Sequence, residues 1–182
     1  MPRVGVKLLK GLTFLLLGMI LSFQLPAASS IASATDEYRV KNAFIYNFLA
    51  FTQWPEHTGQ TINLCIFGKD YFGDEIDLLQ TKSVNQFAIK VSRLAALEKA
   101  GNCQALFISK SEHGHLSSIL DSLQGRAILT LTDSTDAASK GVIINMHLIE
   151  NKVKFEINLE SARHVGLIIS ARLLQLATRV YQ

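Results

Sequence analysis

The chain has 182 residues, 48% of them apolar, with 18 Lys+Arg against 15 Asp+Glu and two cysteines. That size suits one domain with a sizeable core, and the composition excludes disordered, collagen-like and disulfide-dense classes. The net charge of +3 comes from the first ten residues, and no Lys/Arg cluster follows, so nothing points to nucleic acid.

Residues 1–10 carry Arg3, Lys7 and Lys10 and no acid, residues 12–25 are almost wholly apolar, and Ala32-Ser33-Ala34 offers small side chains. Basic, apolar, then small is the order of a secretory signal peptide, expected to be cleaved after Ala34. An uncleaved anchor is the alternative, but the apolar run falls short of the ~20 residues a membrane span needs. No cysteine near the site invites a lipid. Cleavage leaves residues 35–182 as one domain with 15 basic and 15 acidic residues, a net charge of zero.

Residues 40–54 read as an amphipathic helix. At about 100° per residue, Val40, Ala43, Phe44, Phe48, Phe51 and Trp54 share one face, which is expected to be core. Thr35 is the expected N-cap, Asp36 and Glu37 lie where the helix dipole favours them, and Pro55 ends the helix. Ile45 and Leu49 fall on the opposite side, where water is expected. With Trp54 they form a candidate partner surface.

Strands and helices then alternate. Residues 61–68 are a short apolar run closed by Gly68, a buried strand, and residues 70–80 a short helix. Residues 87–91 alternate as a strand, residues 94–99 make a helical turn stopped by Gly101, and residues 105–109 are a third strand. Residues 111–123 form a helix burying Leu116, Ile119, Leu120 and Leu123, and residues 127–131 a fourth strand. Residues 142–149 and 153–159, separated by 150–152, are a β-hairpin. Residues 167–180 close the chain as a helix with Leu173, Leu174 and Leu176 inward. This order predicts an α/β fold: one mostly parallel sheet of about six strands, helices on both faces, and a C-terminal β-hairpin and helix.

The two cysteines, Cys65 and Cys103, lie in the first strand and just before the third. Those strands can be neighbours in a doubly wound sheet, and a pair of cysteines in an exported protein is usually oxidised, so a structural disulfide is expected. Two buried free thiols are the alternative. A redox-active pair would sit as C-x-x-C, which is absent.

Catalytic patterns fail one by one. Gly68 and Gly73 match neither phosphate-binding fingerprint. His113 and His115 sit at a polar helix start without a third ligand and read as surface histidines; His57, His147 and His164 are isolated. Ser109, Ser111 and Ser170 lack a nucleophile-elbow context. No set of nucleophile, base and orienting group can be assembled, so an enzyme is not expected, and no metal or cofactor is implied. Asp133 ends the fourth strand, where doubly wound folds place ligands, although capping the next turn is the plainer role. With Gly68 and Ser109 it marks a candidate ligand cleft at the carboxyl ends of the strands.

Seven ordered blocks resemble the YfiR family: Val40-Lys-x-Ala-Phe-x-Tyr-Asn-Phe with Trp54-Pro55, Leu64-Cys-x-x-Gly68, Cys103-x-x-Leu-Phe-Ile-Ser109, Leu129-Thr-Leu-Thr-Asp133, Gly141-Val-Ile, Lys154-Phe-Glu-Ile-Asn158 and Ser170-x-x-Leu-Leu-x-Leu-Ala177. The resemblance implies a periplasmic homodimer that represses an inner-membrane diguanylate cyclase by binding its periplasmic domain. It implies relief of that repression by an outer-membrane lipoprotein with a peptidoglycan-binding domain, and so control of cyclic-di-GMP and biofilm formation. It also implies that Cys65 and Cys103 are the family's structural pair. The family's second pair is missing, since residues 134–141 hold no cysteine, and Lys140 stands where the family usually has the first of two glycines. The competing expectation is a periplasmic small-ligand sensor using the cleft at Gly68, Ser109 and Asp133.

Overall fold

The computed structural model describes residues 29–55 and 59–182, side chains of 29–35 excepted. Most of the expected leader, and His57, lie outside the described residues. The regular elements are α1 (Ser29–Ala50), β1 (Thr52–Gln53), β2 (Thr61–Phe67), β3 (Ser83–Val84), β4 (Phe87–Leu94), β5 (Ala105–Ile108), α2 (Leu116–Ser122), β6 (Leu129–Thr132), β7 (Ile144–Ile149), β8 (Lys152–Asn158), α3 (Leu159–His164), β9 (Ile168–Ile169), α4 (Ala171–Leu176) and β10 (Arg179–Tyr181). Short 3-10 segments occupy Gly73–Thr81, Leu97–Asn102, Lys110–His115 and Ala138–Lys140.

The main sheet has eight strands in the order β10-β8-β7-β6-β5-β2-β4-β3, two more than expected, both additions being short edge strands. From β4 through β2, β5 and β6 to β7 the pairing is parallel, while β8 runs antiparallel to β7. The chain leaves β2 towards β4, then returns across the sheet to β5. That reversal puts the topological switch point between β2 and β5, with Gly68 and Ser109 at its mouth.

Each face carries its own core. Ile62, Leu64 and Ile66 of β2 and Phe107 of β5 pack beneath α1 and the Gly73–Thr81 segment. Cys65, Leu106 and Ile108 point the other way, onto Leu116 and Ile119 of α2. Side chains alternating on strands buried on both sides explain why these strands read as unbroken apolar runs. Cys65 and Cys103 form a disulfide in the second core, with Cα atoms 5.9 Å apart and a sequence separation of 38.

The helix α1 is where the sequence reading errs. Its buried stripe is Tyr38, Lys41, Asn42, Ile45, Phe48 and Leu49, at helical spacing. Ile45 and Leu49, expected to face a partner, are each 0% exposed, whereas Val40, expected inside, is 44% exposed. Lys41 and Asn42 make the inner stripe look polar, which hides it from a hydrophobic pattern. Nor does Thr35 cap the helix, since it lies within Ser29–Ala50, and the helix ends at Ala50, before Trp54. Thr52 pairs with Ile169 of β9 instead of continuing the helix, and its hydroxyl donates to the carbonyl of Phe48 at 2.7 Å.

The last expected helix, residues 167–180, is three pieces: β9, α4 and β10. The Ser170 side chain caps α4 by accepting from the Leu173 amide, and Thr178 donates from its amide to Phe155 O at 2.9 Å, drawing β10 alongside β8. Of the three leucines expected inward only Leu173 is buried, and Leu176 is exposed. The hairpin forms where expected, its turn made by Glu150 and Asn151 at φ 49° and 60°, the two positive values a type I′ turn requires.

Candidate functional site

The carboxyl ends of β5, β6 and β7 meet the first half of α1 at Asp133, the residue after β6. Its Oδ2 accepts from the Tyr38 hydroxyl at 2.5 Å and from Lys41 Nζ at 2.7 Å, and its Oδ1 from the Lys110 amide at 3.1 Å. Lys41 Nζ also pairs with Glu37 one turn earlier. The Lys41 and Asp133 side chains are 3% and 1% exposed, so this is a buried ion pair completed by hydrogen bonds. Burial, and then the bond to Asp133, push the Tyr38 hydroxyl well above the ordinary tyrosine range, so it stays a neutral donor. Beside it, the Tyr38 ring stacks on Tyr71 with centroids 5.4 Å apart and meets the edge of Phe72 at 5.0 Å. The Lys110 ammonium lies 4.9 Å from the Tyr71 ring centre, and that of Lys69 5.0 Å from the same ring.

Gly68, Ser109 and Asp133 do come together at the strand ends, but two of them are closed off. Gly68 adopts φ +89°, and a Cβ there would stand 2.7 Å from Glu112 Cγ and Ser111 Oγ. Ser109 is fully buried and its hydroxyl accepts from the Ser111 amide at 3.3 Å. The 110–115 turn and the Tyr38–Tyr71–Phe72 rings thus fill the switch-point crevice. Trp54 is half-buried, its Nε1 donating to Gln104 O at 2.9 Å, so its polar edge anchors the chain after β1. The cleft reading is corrected at Gly68 and Ser109 by this close packing. The partner surface is corrected at Ile45 and Leu49 by their burial.

The open space lies one strand further on. A cavity of about 450 Å³ is bounded by Glu37, Lys41, Lys110, Asp133, Asn145 and Glu156, among others. Asn145 of β7 is buried, and among the described residues its Oδ1, like that of Asn42, has no hydrogen-bond partner. Sequence reasoning missed Tyr38, Lys41, Lys110 and Asn145. The only local sign was Glu37 four residues before Lys41, a spacing that normally marks an exposed helix pair. Among the described residues no group of three or more His, Cys, Asp or Glu is placed to hold a metal.

Among solved structures the chain is similar to the ABC domain in complex with L-Trp from Streptococcus pneumonia, with a TM-score of 0.49 and 9% identity over 65% of this chain and 55% of that one. The chain therefore spans little more than half the length of that structure. Among curated proteins nothing matches it. The family model described as YfiR/HmsC-like, DUF4154, matches residues 38–178, from Tyr38 of the buried network to Thr178 beside β10, and the chain belongs to that family.

Proposed function

We propose that the protein is a periplasmic regulator that binds the periplasmic domain of an inner-membrane diguanylate cyclase and represses it, lowering cyclic-di-GMP output. The observation that carries this reading is family membership across residues 38–178. The chemistry of the strand ends is in keeping with it. Lys41, Asp133, Glu37 and Tyr38 bond one another rather than presenting a free acid, base or nucleophile. In the same reading the protein acts as a homodimer, is exported by the leader at residues 1–34, and is released from the cyclase by an outer-membrane peptidoglycan-binding lipoprotein.

Calorimetric titration of the purified protein into the periplasmic domain of a cyclase encoded beside it tests the reading. Saturable binding is expected, with lower cyclase turnover when both are present in membranes. Absence of binding to any neighbouring cyclase, with the protein folded by circular dichroism, sinks the repressor reading.

A further inference from the structure

We propose that the outer edge of β8 at Val153 takes an added strand from another protein, an extended segment that alternates acidic with apolar residues. The Asn158 amide donates to Ile143 O, so residues 152, 154, 156 and 158 turn their backbone groups towards β7. Those of Val153, Phe155 and Ile157 face the other way. On that side β10 pairs only with Glu156–Asn158, and the Thr178 amide reaches Phe155 O. Among the described residues nothing bonds the backbone N–H or C=O of Val153. An open edge of this kind is a template for one more strand.

The two faces of this edge set the pattern of the incoming strand. A groove of about 670 Å³ runs along it, walled by Val40 of α1 and by Leu148 and Val153 of the hairpin. Val40 and Leu148 are 44% and 47% exposed, so apolar surface is left uncovered there. A residue paired with Val153 points its side chain to the Val153 face, towards that surface, and is therefore apolar. Its neighbours point to the opposite face, where Lys152 and Lys154 are exposed. Among the described residues no ion pair engages either lysine. Nearby acids are already matched: Asp36 pairs with Arg39, Glu37 with Lys41, and Glu156 stands opposite Arg179. An acid on each side of the apolar residue meets the two free ammonium groups.

The same lysines decide against a second copy of this chain as the occupant. Antiparallel pairing of two β8 edges about a two-fold axis at Val153 sets Lys152 of each copy against Lys154 of the other. Like charges directly opposite are destabilising, and edge lysines commonly block such self-pairing. A foreign strand of opposite charge meets no such repulsion. The edge is tested without a cyclase, so its failure leaves the repressor reading standing.

NMR titration of the isotope-labelled protein with a capped heptapeptide of alternating glutamate and valine, read together with amide hydrogen exchange, tests the inference. In the free protein the Val153 amide is expected to exchange faster than those of Lys154 and Glu156, which are bonded to β7. The glutamate peptide is expected to bind saturably and to slow exchange at Val153. A peptide with lysine in place of glutamate is expected to bind about tenfold or more weakly. Lys152→Glu combined with Lys154→Glu changes only exposed side chains, so this variant is expected to fold and to prefer the lysine peptide. Saturable binding with protection of Val153 and a reversed preference in the variant supports the edge as the site. No saturable binding of the glutamate peptide overturns it, as does equal binding of the two peptides or binding that leaves Val153 exchange unchanged. A dimer that protects Val153 without peptide overturns it as well, by giving the edge to a second copy.

Discussion

Replacing Asp133 by alanine removes the acceptor of three bonds at once: those from Tyr38, Lys41 and the Lys110 amide. Lys41, with 3% of its side chain exposed, is then left inside with Glu37 as its remaining counter-ion. Breaking a buried pair from one side typically costs about 3–5 kcal/mol, because the surviving charge stays desolvated. At roughly 2–4 °C per kcal/mol for a domain of this size, the melting temperature should fall by about 10 °C. The companion variant separates charge stranding from lost packing. Lys41→Met with Asp133→Leu takes out both charges, and the double replacement should recover most of the loss, because apolar substitution of a buried pair is often neutral. Urea denaturation of wild type, Lys41→Met, Asp133→Leu and the double variant completes the cycle. A loss below about 1 kcal/mol for Asp133→Ala, or additive single costs, would refute the view that α1 is fastened to the sheet by a coupled buried pair.

Other outcomes follow from the same geometry. Leu49→Ala should cost about 2–5 kcal/mol by chemical denaturation, as a cavity in a core does, and a change within about 0.5 kcal/mol would return Leu49 to the surface. Reducing the Cys65–Cys103 disulfide, which closes a loop of 38 residues, should lower stability by about 4 kcal/mol on the chain-entropy model; an unchanged melting curve with reduction confirmed by thiol labelling contradicts this. Tyr38 is held neutral above its ordinary value by burial and Asp133. Below about pH 10 folded and unfolded states both keep the proton and its stabilisation is complete; above that the unfolded state ionises first, so stability falls as pH rises. Tyr38→Phe should lose about 1 kcal/mol at neutral pH yet decline less steeply than wild type above pH 10, as measured by urea midpoints across pH.

Gly68 shows how far sequence reading reaches towards the site. Its place at the carboxyl end of a strand marked it for a ligand cleft. The close approach is there, but Ser111 and Glu112 make it, and the open cavity lies beside Asp133 instead. Asp133 was legible because it follows an apolar strand. Its partners were not, because Tyr38 and Lys41 lie 95 and 92 residues away and nothing local marks them.

The sequence by itself determined six of the strands in chain order, the hairpin and the cysteine pair. A strand buried on both faces must be a short apolar run, a type I′ turn needs residues that accept positive φ, and two cysteines leave one intramolecular pairing. Only the tertiary structure decided which side of α1 faces inward, and that residues 167–180 break into β9, α4 and β10. Periodicity weighs a residue by its own polarity. Lys41 and Asn42 are buried because Asp133, Glu37 and the carbonyl of Glu75 receive them, and Thr178 leaves the helical path because Phe155 O accepts its amide. Such pairings arise only once distant segments have met.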